Sequence, residues 1–241
     1  MRGTTAFGRV HPAIVAVWAA IIAVSRLLPT FPMIGVGGTF TLANVLVPLA
    51  GVFFGPWAGM LCAAIGGAIG QLIFPPSAWA GVFSFLIPAV GGLAAGFVMR
   101  RNWVWPVAMI ALLGAAWYAL PEGRAAWMMP PVYAIGVVAA ILGAIWGARW
   151  LASESRAKMF AGIFLASLAG IVASQALGNL FYLALVRPPV PEVVRLAVQG
   201  PIERVIFALA AGIVGTPLLT ALPKVGVLVG PALYEEELEE E

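Results

Sequence analysis

The 241-residue chain contains no aspartate, one histidine and one cysteine, and only 10% of its residues are charged. An ordinary globular domain has about a quarter charged residues. Disulfide frameworks, clusters of metal ligands and acid–base pairs all need side chains that this sequence lacks, since Cys62 stands alone in an apolar run and His11 stands alone near the N-terminus. We therefore expect neither a catalytic residue nor a metal site nor a cofactor.

Apolar residues are abundant instead. They make up 62% of the chain, and the mean hydropathy is +1.02. Such a chain cannot cover a water-facing surface, so it is predicted to be an integral protein of the plasma membrane. The net charge of +3 does not indicate a nucleic-acid partner, because the 13 basic residues are scattered along the chain.

Glycine and proline breaks divide the apolar sequence into about eight candidate spans. They cover roughly residues 12–28, 41–54, 57–73, 80–99, 103–120, 131–151, 160–186 and 201–222. The predicted fold is an all-α polytopic helical bundle, with residues 1–241 forming a single transmembrane domain. Residues 103–151 are predicted to form a helical hairpin.

The distribution of lysine and arginine between the predicted loops sets the expected orientation. With the N-terminus in the cytoplasm, eight basic residues lie on the inner side and five on the outer side. Both termini are then cytoplasmic. Residues 225–241 form an acidic cytoplasmic tail, which ends in a run of glutamates from Glu235 to Glu241.

Polar side chains at membrane depth are costly, so their positions indicate function. In the predicted topology they gather in the outer halves of the spans, over inner halves made of small and aliphatic residues. This arrangement predicts an outward-facing pocket for a small organic ligand above a closed apolar floor. The candidate ligand-binding residues are Trp79, Gln175, Asn179, Tyr182, Glu203 and Arg204, with Asn44 and Gln71 as second choices.

Several of these side chains have two interpretations. Arg204, like Arg26 at the outer end of the first span, either snorkels to the interface or contacts a ligand. Gln175 and Asn179 either form hydrogen bonds between helices or bind the ligand. Glu203 and Arg204 are adjacent and project in different directions from a helix, so the sequence does not pair them, and Glu203 has Arg26 or Arg195 as other candidate partners.

The first span carries alanines in two registers, Ala16 with Ala20 and Ala19 with Ala23. Small residues at this spacing allow close helix contact. The contact is either internal or a smooth face offered to another subunit.

Residues 40–70 read FTLANVLVPLAGVFFGPWAGMLCAAIGGAIG. This segment resembles the second and third helices of the substrate-binding S components of energy-coupling factor (ECF) transporters. Residues 91–101, a glycine-rich helix ending in two arginines, and residues 201–224 are similar to later helices of the same family. The alanine pattern of the first span resembles the helix that docks on the coupling subunit.

The resemblance implies a six-helix membrane subunit that captures a vitamin or related micronutrient from outside. It also implies partners: a transmembrane coupling subunit and two cytoplasmic ATPases. Because eight spans are predicted here, residues 103–151 would be an inserted hairpin on a six-helix core. The chain has no Gly-Lys-Ser/Thr phosphate loop, so any ATP hydrolysis must come from a partner.

Two other functions remain open from the sequence. One is a self-sufficient secondary carrier or facilitator for a small solute. The other is a membrane enzyme acting on a lipid or isoprenoid, which is disfavoured because no acid–base cluster is visible.

Overall fold

The computed structural model describes residues 10–32, 39–231 and 233. Within them the regular structure is helical, apart from one two-stranded hairpin that joins the first two helices. The strands are β1 (Pro29–Pro32) and β2 (Thr39–Thr41). The α-helices are α1 (Pro12–Ser25), α2 (Ala43–Ile73), α3 (Leu86–Met99), α4 (Val104–Ala119), α5 (Pro121–Ala125), α6 (Met129–Val132), α7 (Ala134–Leu142), α8 (Ala148–Leu151), α9 (Arg156–Val186) and α10 (Val190–Ala221).

The described helices confirm the prediction of an all-α polytopic membrane protein. Five segments are long and apolar enough to cross a bilayer. They are Ala43–Ile73, Gly81–Met99, Met129–Leu151, Arg156–Val186 and Val190–Val225. The apolar helices α1 and α4 are shorter, with 14 and 16 residues.

The long helix α2 consists of two arms that fold back on each other at Gly55. This glycine has φ 82° and ψ −180°, a conformation that L-residues rarely adopt, and Pro56 follows it. A Cβ atom on Gly59 would lie only 2.5 Å from the Cα atom of Gly51, whereas eight residues of continuous helix span about 12 Å. The predicted break between two spans is therefore present, and residues 43–54 and 56–73 pack side by side.

Glycines bring the backbones of the central helices into contact. A Cβ atom on Gly51 would overlap the carbonyl oxygen of Gly92 in α3, and Gly96 faces the backbone of Pro56. Between α3 and α9, a Cβ atom on Gly170 would lie 2.5 Å from the carbonyl oxygen of Gly91. Such close approach is how membrane helices associate without a strong hydrophobic drive.

The helix α10 begins earlier than its predicted span, at Val190 rather than near residue 201. Proline is compatible with a first turn, and Pro191 occupies that position. Glu192 and Arg195 interrupt the apolar sequence in the first three turns, although both residues lie on a regular helix. Pro201 is then an internal proline of a 32-residue helix.

The segment after α10 returns to the bundle. The amide of Gly230 donates a hydrogen bond of 2.8 Å to the carbonyl oxygen of Phe53, and the side chains of Val229 and Leu233 are buried. The first part of the predicted tail is therefore packed against the end of α2's first arm. The glutamates of residues 235–241, and the basic residues Arg2 and Arg9, lie outside the described residues.

Candidate functional site

A cavity lies in one half of the bundle, which we call the cavity half. It is lined where α1 and α9 end and where α2, α3 and α10 begin, together with the connection between α2 and α3. The volume that the centres of water molecules can occupy there is about 130 Å³. The site therefore assembles from chain segments that are far apart in sequence but reach the same depth of the bundle.

Seven of the eight candidate ligand-binding residues line this cavity. They are Asn44, Trp79, Gln175, Asn179, Tyr182, Glu203 and Arg204. Gln71 is not among the lining residues. Its Nε2 atom lies 3.4 Å from the carbonyl oxygen of Val82, so its amide ties α2 to the connection before α3.

The cavity also has walls that the sequence did not single out. Thr39, Phe40 and Thr41 of β2 line it, because the β-hairpin places them above the start of α2. Ser77 and Ser174 contribute hydroxyl groups. The pattern Thr-Phe-Thr before a helix is typical of a strand, but a division of the chain into membrane spans assigns it to a loop.

Buried polarity is concentrated at this cavity. Eight buried polar or charged residues occur in the described part of the chain, and six of them line the cavity. The six are Arg26, Thr41, Ser77, Ser84, Gln175 and Arg204. The other two are Ser25, which donates to the carbonyl oxygen of Ile22, and Ser167 in the middle of α9.

The other half of the bundle is packed with apolar side chains. The deepest are fully buried on α2, α3, α9 and α10: Leu49, Phe53, Val98, Ile163, Ala208 and Ala211. In this half Gly215 of α10 packs on Leu49 and Ile163. Apolar side chains therefore lie beyond the cavity, on the side where the sequence predicts an apolar floor.

Glu203 and Arg204 form an ion pair although they are adjacent in sequence. The Nη2 atom of Arg204 lies 3.6 Å from Oε2 of Glu203. The guanidinium carbon of Arg204 also lies 4.6 Å from the centre of the Phe40 ring. The partner of Glu203 in the structure is therefore Arg204, and not Arg26 or Arg195.

The amide of Asn179 faces both the cavity and the segment behind it. Its Nδ2 atom donates a hydrogen bond of 3.1 Å to the hydroxyl of Tyr133 and lies 3.3 Å from the sulfur of Met129. The two interpretations left open by the sequence, a contact between helices and a position at the ligand, are thus compatible. Among the described residues of the predicted hairpin, 103–151, none lines the cavity, so this segment supports the site from outside.

Aromatic rings form one side of the cavity. Trp79 and Tyr182 meet edge to face with ring centroids 6.3 Å apart. The hydroxyl of Tyr182 donates a hydrogen bond of 2.8 Å to Glu192 at the start of α10. This hydrogen bond holds the Tyr182 ring in place. It also engages the carboxylate of Glu192, which is not among the lining residues.

The site of this protein combines aromatic faces, amides and charged groups in a closed-bottomed cavity of a membrane bundle. Residues 10–120, from before α1 to the end of α4, match the family model described as ECF-type riboflavin transporter, S component. This part of the chain is therefore similar to the S components of ECF transporters. No match is found among the curated proteins or among the solved structures.

By this similarity the protein resembles a substrate-binding subunit of a transporter. Its cavity is lined by residues within the matched region and by residues that follow it. Arg26, Asn44 and Trp79 lie within residues 10–120, whereas Gln175 and Arg204 lie beyond them. The matched region also includes α4, the first arm of the predicted hairpin.

Proposed function

We propose that this protein is an ECF S component, which captures a vitamin or related micronutrient from outside the cell and belongs to an ATP-driven importer. The observation that carries the proposal is the cavity, in which the buried polar side chains gather over an apolar half of the bundle. A ligand bound there is sealed from the opposite side, and its release requires a rearrangement driven from elsewhere. A transmembrane coupling subunit and two cytoplasmic ATPases supply that drive in the proposal.

The helix α1 provides the proposed docking surface for the coupling subunit. Ala16 and Ala20 are exposed, next to exposed Val17 and Val24. Ala19 and Ala23 are buried, on the side where Gly66 of α2 packs against α1. Of the two alanine registers, only the first therefore remains on the surface that a partner can reach.

Ligand binding is tested first on the purified protein. Native mass spectrometry shows whether a small molecule is retained, and titration in detergent measures its affinity. Riboflavin is the first compound to test, because the matching family model names it. Gln175→Leu should weaken binding, whereas Gln199→Leu, an exposed glutamine of α10 outside the cavity lining, should not.

Transport is tested in liposomes with and without the partners. We expect accumulation of the bound compound only when the coupling subunit, both ATPases and ATP are present. Accumulation by this protein alone would show a self-sufficient carrier instead. If the Gln175→Leu and Gln199→Leu variants bind the ligand with equal affinity, the ligand does not bind in the cavity.

A further inference from the structure

We infer that the ligand of this cavity carries a negatively charged group, a carboxylate or a phosphate, which binds to the guanidinium groups of Arg26 and Arg204. The inference rests on the proposed function, because it names the class of substrate for the same cavity. It is carried by the unequal numbers of buried cations and anions and by hydrogen-bond donors that have no partner.

Arg26 is a buried cation that has no counterion within the described part of the chain. It follows α1, only 8% of its surface is exposed, and its Nε atom is buried with no hydrogen-bond partner. Among the described residues, no ion pair involves this side chain. A guanidinium group has five N–H donors and no acceptor, so an oxygen-rich anion is the group that satisfies it best.

Two glycines of α2 make room for Arg26. A Cβ atom on Gly70 would overlap the aliphatic part of the arginine, and one on Gly67 would lie 3.5 Å from its Nη2 atom. The side chain therefore lies in a slot on the surface of α2 and lines the cavity instead of extending toward lipid or water. Arg26 therefore does not snorkel, because a snorkelling arginine keeps its guanidinium group in water.

Arg204 is the second buried cation, with 9% of its surface exposed. Glu203 supplies one carboxylate at 3.6 Å, and the Phe40 ring covers part of the guanidinium. The Nε atom of Arg204 is nevertheless buried without a hydrogen-bond partner. Donor capacity thus remains on this side chain after its ion pair is counted.

The charges that line the cavity do not balance. Among the lining residues that the structure describes, two arginines accompany one glutamate, which leaves one positive charge. Glu192 is the other acidic residue of α10, and its carboxylate accepts a hydrogen bond from the hydroxyl of Tyr182 and does not pair with either arginine. An uncompensated buried charge is unfavourable, so a ligand that brings the missing negative charge gains most from this site.

The remaining lining describes the rest of the ligand. Trp79 and Tyr182 offer ring faces, and Asn44 and Gln175 offer amide groups for polar substituents. The cavity therefore fits a small ring system or acyl chain joined to an acidic group. Riboflavin has a suitable ring but no charge at neutral pH, so its binding distinguishes this inference from the proposed function.

The first experiment identifies any retained compound. The purified protein is denatured, and the released molecule is analysed by high-resolution mass spectrometry. A formula and fragmentation pattern with a carboxyl or phosphate group supports the inference. Riboflavin, or any other compound without an acidic group, would overturn it while leaving the proposed function intact.

The second experiment measures charge selectivity with pairs of probes after any retained compound has been removed. The pairs are nicotinate and nicotinamide, biotin and biotinamide, pantothenate and pantothenol, and riboflavin 5′-phosphate and riboflavin. We expect at least one acid to bind about tenfold or more tightly than its neutral partner, a difference of about 1.4 kcal/mol. If no acid binds more tightly than its neutral partner although some compounds bind, the inference alone is overturned, and binding by no member of any pair overturns both proposals.

Variants connect the selectivity with the two arginines. Arg26→Gln and Arg204→Gln should each reduce the ratio of acid to neutral affinity about tenfold, and Arg26→Lys should restore part of it. Gly70→Ala, which displaces Arg26 without changing a charge, should also lower the ratio. Arg195→Gln, at an exposed position of α10 outside the cavity lining, is the matched control. An unchanged ratio in both glutamine variants contradicts the inference.

Discussion

At the level of single residues, Asn179 links the cavity to the segment that packs behind α9. Its amide nitrogen is bonded to Tyr133, and the same residue lines the cavity. Tyr133 is 2% exposed and Asn179 is partly buried, so this hydrogen bond joins a buried hydroxyl to a side chain at the cavity. A substitution at Asn179 therefore acts on ligand binding and on packing together, and a second variant is needed to separate them.

Asn179→Leu should weaken ligand binding roughly two- to twelvefold, because one neutral hydrogen bond contributes about 0.5–1.5 kcal/mol. Tyr133→Phe removes the contact behind the cavity but leaves the amide at the ligand, so its affinity should stay close to that of the original protein. Titration with the bound compound measures both. If the two variants lose affinity equally, the role of Asn179 is to hold Tyr133 and not to contact the ligand.

The depth of a polar residue could be predicted from sequence, but its direction could not. Asn44, Gln175 and Gln71 all lie in the predicted outer halves, and the first two line the cavity. Gln71 lies near the C-terminal end of α2 and contacts the carbonyl oxygen of Val82 instead. A membrane helix that is apolar on all sides has no amphipathic pattern to show which side faces the bundle, and that direction requires the packed structure.

At the level of elements, helix breaks were predictable and the hairpin strands were not. Glycine followed by proline stops a helix locally, so the break at Gly55 is visible in the sequence. The pairing of Pro29 with Thr41 in the β-hairpin depends on bringing together residues on either side of a connection. Phe40 therefore reaches the cavity through a contact that local sequence does not encode.

The reversal inside α2 should depend on Gly55. An alanine at φ 82° and ψ −180° is strained by about 1–3 kcal/mol, so Gly55→Ala should lower the midpoint of thermal unfolding in detergent. Gly114→Ala is the control, because a Cβ atom there meets only the Cβ atom of Pro130 at 3.5 Å. An unchanged midpoint for Gly55→Ala would show that the two arms of α2 do not require this backbone conformation.

The exposed register of α1 should matter for transport but not for binding. Ala16→Trp with Ala20→Trp adds bulk to the proposed docking surface, and overpacking a close contact costs about 1–3 kcal/mol. Assembly with the coupling subunit should become roughly 5- to 150-fold weaker, with a matching loss of ATP-driven uptake. The affinity of the isolated protein for its ligand should not change.

Leu112→Trp on the exposed surface of α4 is the control for this effect, since its side chain is 71% exposed. It adds comparable bulk to a different face of the bundle. Equal losses of uptake in the control and in the α1 variant would indicate a general effect of surface tryptophans. Only a selective loss supports docking through α1.

At the level of the whole molecule, the position of the basic residues relative to the cavity predicts an orientation in the membrane. The basic residues Arg100, Arg101, Arg149 and Arg156 lie at the ends of α3, α8 and α9 that are remote from the cavity. Basic residues are enriched in cytoplasmic loops, so the cavity half should face outward. An importer that collects its ligand from outside requires that orientation.

Cysteine labelling in intact cells tests this orientation. Cys62 is the only cysteine of the sequence and is fully buried, so the unaltered protein should give little signal. Arg124 lies in α5 at the cavity end of the bundle, since a Cβ atom on its neighbour Gly123 would meet the side chain of Leu183, which follows the cavity residue Tyr182. Arg124→Cys should therefore react with a membrane-impermeant maleimide. Glu154→Cys, exposed between α8 and α9 at the opposite end, should react only after the cells are opened. Labelling in the reverse order would place the cavity on the cytoplasmic side and would exclude capture from outside, because the apolar half of the bundle would then stand between the cavity and the external ligand.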